Sequence, residues 1–271
     1  MEEMNEVFNE IQVEKKTIIS FADVAARYDN GREVLADVSF NISAGAFYFL
    51  SGASGAGKTT LLRLIYQLHR QSRGQIKLFG RSVSELSRDE IIKMRRKMAI
   101  VFQEYSLISH LSVFDNIAMP LRVRGVAEKI VRKKTAQVLK WIGLSAYANI
   151  LPLNLSGGQQ QRVSVARAII TSPEILLADE PTGNLDDDSA RKLMELFIQM
   201  NAKFGTTIIL ATHSTGLMNT YKFPKILVAD HRVRFAGDAA ASDDIKFSGG
   251  GKVFLSKLGQ QFSALAGGDE K

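Results

Sequence analysis

The run Gly52-Ala53-Ser54-Gly55-Ala56-Gly57-Lys58-Thr59 constrains this chain more than any other feature. It fits the pattern G-x-x-x-x-G-K-[ST], in which glycines let the backbone curl until its N–H groups face the oxygens of a phosphate. Residues 46–50 before it are a short apolar run rich in aromatics, as a buried strand requires. Residues 58–68 after it read as a helix whose positive dipole end adds to the anion site. Strand, loop and helix in that order commit the chain to an α/β fold and to a nucleoside triphosphate as ligand. Lys58 is then placed to neutralise the β and γ phosphates, and the Thr59 hydroxyl to ligate Mg²⁺.

Other short apolar runs at residues 99–102, 175–178 and 206–211 suit parallel strands covered on both faces. Residues 17–21 and 38–42 read as further strands, with Asn30-Gly31 marking a turn between them. Residues 225–237 suggest a closing hairpin. Between the runs at 99–102 and 175–178 lies a polar, helix-rich stretch at about 105–161, with turn signals at Pro120, Gly125 and Pro152. It reads as an inserted helical subdomain. A polar lead-in (1–16), a cassette (17–237) and a tail (238–271) complete the expected organisation. The tail is expected to be partly disordered, with residues 253–262 as its one candidate helix.

With 271 residues, 45% of them hydrophobic, the chain is large enough to bury a substantial core. No run approaches the roughly 18 apolar residues of a membrane-spanning helix, and the first residues lack the pattern of a secretory signal. The absence of cysteine excludes disulfides and thiolate metal sites. The net charge of +7 is uneven. Residues 2–14 carry five Glu and no basic residue, whereas 63–97 carry ten Lys/Arg against three Asp/Glu. Residues 122–140 carry seven basic residues against one acidic. Solvated faces explain such stretches, and an anionic membrane surface or nucleic acid is the alternative. Aromatic residues do not interleave with the basic ones as a nucleic-acid platform demands, so no nucleic-acid partner is expected.

Two further motifs carry chemistry. The strand at 175–178 ends in Asp179-Glu180. Taken alone this is a strand running into a solvated loop. Beside a phosphate loop, Asp179 can hold Mg²⁺ and Glu180 can act as general base on the attacking water. The run Leu155-Ser156-Gly157-Gly158-Gln159 opens a helix with Val163, Ala166 and Ile170 on one face. Ser156 is a natural N-cap. Gly157 and Gly158 are poor helix formers at the place where backbone N–H groups would approach a second anion.

The three motifs, in this order, resemble those of the ATP-binding cassette ATPases over about residues 17–237. That resemblance implies a phosphate-loop NTPase fold with a mainly parallel core sheet, an antiparallel β-subdomain and an inserted helical subdomain. It implies ATP and Mg²⁺ as cofactors. It places Gly52 through Thr60 around the phosphates, with Thr60 next to Thr59, and Tyr28 against adenine. Gln103 joins Thr59 and Asp179 at the metal, and His213 contacts the γ-phosphate beside the catalytic Glu180. Asn184-Leu185-Asp186 resembles the loop that crosses a dimer interface. Ser156, Gly157, Gly158 and Gln159 cap the nucleotide of a second copy, so a homodimer is implied. Ser214 follows His213 where the family usually has Asp.

The stretches Tyr28-Asp29-Asn30-Gly31-Arg32-Glu33-Val34-Leu35 and Val113-Phe114-Asp115-Asn116-Ile117-Ala118-Met119-Pro120-Leu121, together with Ala56 in the loop, are similar to the cell-division branch of that family. That branch implies an integral membrane partner subunit, membrane-surface contact through that partner, and a peripheral position on the cytoplasmic face of the bacterial inner membrane. The run Pro181-Thr182-Gly183-Asn184-Leu185-Asp186 is shared with lipoprotein-releasing and exporter ATPases. A lipoprotein-releasing or small-solute transporter ATPase is therefore the alternative.

Overall fold

The computed structural model describes residues 16–28, 31–183 and 185–236. The N-terminal lead-in through residue 15, the tail with its candidate helix, and Asn30 and Asn184 lie outside the described residues. Among the described residues ten strands run in chain order: β1 (Thr17–Arg27), β2 (Glu33–Ser43), β3 (Phe47–Ser51), β4 (Arg73–Leu78), β5 (Arg81–Ser82), β6 (Met98–Val101), β7 (Ile175–Asp179), β8 (Thr207–Ala211), β9 (Lys225–Ala229) and β10 (Arg232–Ala236). The helices are α1 (Lys58–Ile65), α2 (Arg88–Arg95), α3 (Val113–Val123), α4 (Glu128–Trp141), α5 (Gly157–Ile169), α6 (Asp187–Phe204) and α7 (Thr215–Thr220).

The apolar runs form the larger sheet, ordered β10-β9-β3-β8-β7-β6. It is parallel from β9 to β6, and only β10 is antiparallel to its neighbour. Every residue of β7 and β8 is buried. The pleat sends successive side chains to opposite faces, so the sheet divides two cores. Phe47 and Phe49 of β3, Leu176 and Ala178 of β7, and Ile208 and Leu210 of β8 pack with α3 to α6. Tyr48, Leu50, Ile175, Leu177, Ile209 and Ala211 pack on the other side with α1 and the second sheet. That second sheet is antiparallel, ordered β2-β1-β4-β5. Mainly parallel core sheet and antiparallel subdomain thus stand as expected.

Strands β1 and β2 run longer than the apolar runs 17–21 and 38–42 indicated, because their added halves bury Val24, Ala25, Ala26 and Leu35 without a regular alternation to mark them. The helical insertion contains α3, α4 and the start of α5, but α5 continues beyond residue 161 and returns the chain to β7. Pro120 does not make a turn. It lies inside α3, which continues through Val123 before Gly125, at φ +75°, ends it. A proline removes one helical N–H, and the apolar face of α3 (Val113, Ile117, Leu121), packed into the core, outweighs that loss. Pro152, a turn signal, opens a short 3-10 turn.

Asn116, on α3, fastens the entry to this lobe. It is fully buried. Its Oδ1 accepts from the N–H of Ile108 at 2.8 Å, and its Nδ2 donates to the carbonyls of Ile108, Leu111 and Ser112, each at 3.0 Å. One amide thereby serves the backbone of a whole connecting turn. Asn116→Leu should lower unfolding free energy by about 2–4 kcal/mol, since it strands buried backbone groups as well as removing bonds; urea denaturation of the two proteins measures this, and a loss below about 0.5 kcal/mol would contradict it.

Candidate functional site

The site lies where the parallel strands end. Beyond β3 the chain turns at Gly52, whose backbone passes so close to β9 that a Cβ there would sit 2.4 Å from the Val228 carbonyl oxygen. Gly57, at φ +111°, closes the loop and caps α1 from the left-handed region. No side chain caps this helix, so its first N–H groups point out of the helix end free to meet an anion. Lys58 leads from the same end. Its Nζ donates to the carbonyls of Gly52 at 2.8 Å and Ala53 at 3.1 Å, which folds the ammonium back over the loop.

Thr59 looks the other way. Its hydroxyl donates to Asp179 Oδ2 at 2.7 Å, across the sheet to the end of β7. Glu180 follows at φ +48°, a left-handed conformation rare for a residue with a side chain. Its N–H is held by the Ala211 carbonyl at 3.0 Å. The carboxylate is only 11% exposed; Oε1 lies 3.0 Å from His213 Nδ1, and Oε2 is buried with no hydrogen-bond partner among the described residues. An unpartnered buried carboxylate oxygen is costly. His213 itself is 75% exposed and faces solvent.

These groups line one cleft of about 630 Å³. Of the residues expected at the site, Tyr28, Ser54, Gly55, Gly57, Lys58, Thr59, Thr60, Gln103, Asp179, Glu180 and His213 line it. Gly52, Ala53 and Ala56 instead line the back of the loop, in a neighbouring hollow of about 360 Å³ against residues 227–231. Tyr28 is held by a 3.0 Å hydrogen bond between its hydroxyl and Thr60 Oγ1, and its ring lies 4.9 Å from that of His69. Arg32 and Val34 also line the cleft. Sequence reasoning did not single them out, although Arg32 directly follows the expected turn at Gly31.

The glycine-led helix start does not line this cleft. Ser156 Oγ accepts from the Gln159 N–H at 3.3 Å, and Gln159 Oε1 accepts from the Ser156 N–H at 2.8 Å, a complete capping box. The side chain of Gln159 is thereby engaged within its own helix end. Both glycines stand close to neighbouring side chains: a Cβ on Gly157 would lie 2.9 Å from the Tyr105 hydroxyl, and one on Gly158 would lie 3.2 Å from Ser189 Oγ. Val163, Ala166 and Ile170 are buried together as expected. Asp186 is likewise away from the cleft. It caps α6, accepting from Ser189 N–H and Oγ at 2.9 Å each, and those bonds hold its carboxyl below the ordinary aspartate value. Ser214 caps α7 through the Leu217 N–H at 3.3 Å. Serine does there what the family's usual aspartate would do, because either oxygen can accept that bond.

A phosphate-sized cradle at a helix N-terminus, a hydroxyl–carboxylate pair and a buried glutamate beside an exposed histidine define a phosphate-loop ATPase. The chain matches the ABC transporter family over residues 35–183, and it belongs to that family. It is 37% identical over 217 residues to the cell division ATP-binding protein FtsE of Streptococcus pneumoniae, covering 80% of this chain and 94% of that protein. Its identity to FtsE of Escherichia coli is 38% over 213 residues, covering 79% and 96% respectively. The methionine import ATP-binding protein MetN 2 of Paraburkholderia xenovorans is 40% identical over 199 residues, but these span only 52% of that protein. Among solved structures, the ATP-binding cassette MJ0796, in a dimeric post-hydrolysis state bound to ADP and Pi, superposes with a TM-score of 0.74 at 34% identity, covering 81% of this chain and 98% of that one. The chain is accordingly an ATP-binding, ATP-hydrolysing cassette.

Gly52→Ala should weaken ATP binding at least about tenfold and cost about 1–3 kcal/mol of stability, because the new Cβ must displace the Val228 carbonyl or the loop. Nucleotide titration beside a thermal melt checks both, and unchanged affinity would show that the loop tolerates the shift.

Proposed function

We propose that this chain is the ATP-hydrolysing subunit of a cell-division complex of the FtsE type. It works as a homodimer bound to an integral membrane subunit like FtsX, at the cytoplasmic face of the inner membrane, and couples ATP cycling to the control of cell-wall hydrolases. The convergence of Lys58, Thr59, Asp179, Glu180 and His213 on one cleft carries the ATPase half of this reading. The near full-length match to FtsE proteins carries the other half. The identity to a methionine importer supports solute transport as a second reading, over a smaller share of that protein.

The donor set suits Mg²⁺. Thr59 hydroxyl, Asp179 carboxylate and Gln103 amide are all hard oxygen donors, and the first two already face each other at 2.7 Å. Among the described residues no group of three His, Cys, Asp or Glu gathers, so most of the ion's shell would come from phosphate oxygens and water, as is usual for Mg²⁺. Bound there, the ion would offset charge on the β and γ phosphates. The loop N–H groups and Lys58 hold those phosphates, and Tyr28 stacks on the base. Glu180 orients the attacking water and takes its proton. His213 stands across from it toward the γ-phosphate. The Ser156–Gln159 helix start of a second copy closes the open side of the cleft, and Asp186 sits beside that junction. Residues 17–237 form the cassette, with 105–161 as its inserted lobe.

Glu180→Gln should lower kcat by about 10²–10⁴-fold while ATP binding persists, and ATP-bound dimers should accumulate on size exclusion with light scattering. Normal turnover in that variant would overturn the catalytic assignment. Co-purification from native membranes with a division protein, rather than with a solute permease, separates the two readings of the task.

A further inference from the structure

A basic groove on the flank of the cassette, away from the nucleotide cleft, finds no use in hydrolysis. It has a volume of about 440 Å³ and is lined by residues of α2, β6, α3 and α5. Four guanidinium-bearing residues, Arg95, Arg96, Arg124 and Arg167, border it, and no acidic residue does. Among the described residues, none of the four pairs with a carboxylate. Arg95 donates to the carbonyls of Tyr66 and Gln67. Arg124 donates to those of Thr171 and Arg96. Arg167 donates to those of Ser106 and Tyr105. Neutral carbonyls orient these cations without cancelling their charge. Burial, with the charge of Arg96 beside it, pushes Arg124 below the ordinary arginine value, as expected where positive charge gathers unopposed. Two apolar side chains, Ile92 at 42% and Val123 at 76% exposure, stand open at the same groove.

An occupant must therefore be acidic and carry apolar residues at short intervals, and one such segment is attached to the same chain. Residues 1–14 contain Glu2, Glu3, Glu6, Glu10 and Glu14 and no Lys or Arg. Met4, Val7, Phe8 and Ile11 recur among them at the i, i+3, i+4, i+7 spacing that gathers apolar groups on one side. A run of contacts links the start of β1, where they join the fold, to the edge of the groove. The Ile18 carbonyl of β1 accepts from the Phe79 N–H at 2.8 Å, and the Phe79 ring lies 5.1 Å from Lys97 Nζ. Lys97 immediately precedes Met98, Ala99 and Ile100, which line the groove. Fourteen residues span at most about 46–50 Å, and a tether that short holds its far end at about millimolar effective concentration.

We propose that the acidic segment 1–14 docks in cis on the groove bordered by Arg95, Arg96, Arg124 and Arg167, covering this surface until another acidic partner displaces it. The chain has no cysteine, so pairs can be introduced without background. In full-length protein, Val7→Cys combined with Val123→Cys should form an intramolecular disulfide under mild oxidation. Its yield should fall at least about fivefold when salt is raised from 50 mM to 1 M, and equally in a background carrying E2Q, E3Q, E6Q, E10Q and E14Q. Val7→Cys with Leu153→Cys is the control, since Leu153 is equally open at 78% but lies outside the groove. Equal yields for the two pairs, or a yield indifferent to the glutamates, would overturn the proposal. Products linking two chains would assign the groove to a second copy instead. Flotation with phosphatidylglycerol vesicles that requires Arg96 and is the same with glutamate or glutamine in the segment would assign it to lipid, again against the proposal.

Discussion

The larger sheet is buried on both faces, and the site depends on that. A strand with no solvated face can carry polar side chains only at its ends, because a buried polar group without a partner costs several kcal/mol. Strands β3, β6, β7 and β8 are parallel, so their C-terminal ends fall on one edge. The polar residues that follow them are therefore brought together: the loop after Ser51, Gln103 beyond Val101, Asp179 closing β7, and His213 beyond Ala211. In open α/β sheets ligands gather at this edge, and the cleft of this chain is there.

Register then sets the finer geometry. Asp179 pairs with Ala211 across β7 and β8, and the same Ala211 carbonyl takes the N–H of Glu180. The Thr212 N–H binds the Leu50 carbonyl at the tip of β3. Slipping β7 by one residue would move Asp179 off the edge and lose its bond with Thr59. The apolar side chains of β7 are sorted between two different cores, so such a slip would also exchange every one of them between faces. The packing of Leu176, Leu177 and Ala178 thus holds the spacing between a metal-type carboxylate and the phosphate loop.

Much of this was legible in the sequence because the decisive segments are short, wholly apolar and end in polar residues. The loop, Asp179-Glu180 and the runs of β3, β7 and β8 announce themselves that way. Strand β4 and helix α2 do not. In β4 only Ile76 and Leu78 are buried, and in α2 only Met94, so neither leaves a periodic apolar signal. Contacts between distant residues were equally silent. Nothing near Tyr28 in the chain announces its bond to Thr60, and nothing near Gly157 announces the Tyr105 hydroxyl that approaches it. The glycines of that helix start were read as openings for an anion, and within this chain they lie close to the side chains of Tyr105 and Ser189.

That last point bears on how the cleft is completed. The helix start at Ser156 is fixed against Tyr105 on one side and against Leu185 and Ser189 on the other. Its cap is internally satisfied, and it lies outside the cleft of its own chain. Swinging it over that cleft would break the packing of Val163 and Ala166, which are fully buried in the core. Delivering the same rigid surface from a second copy does not. In the dimeric reading proposed above, closure over the γ-phosphate is therefore a docking of two preformed faces, with Glu180 beneath the junction to orient the attacking water.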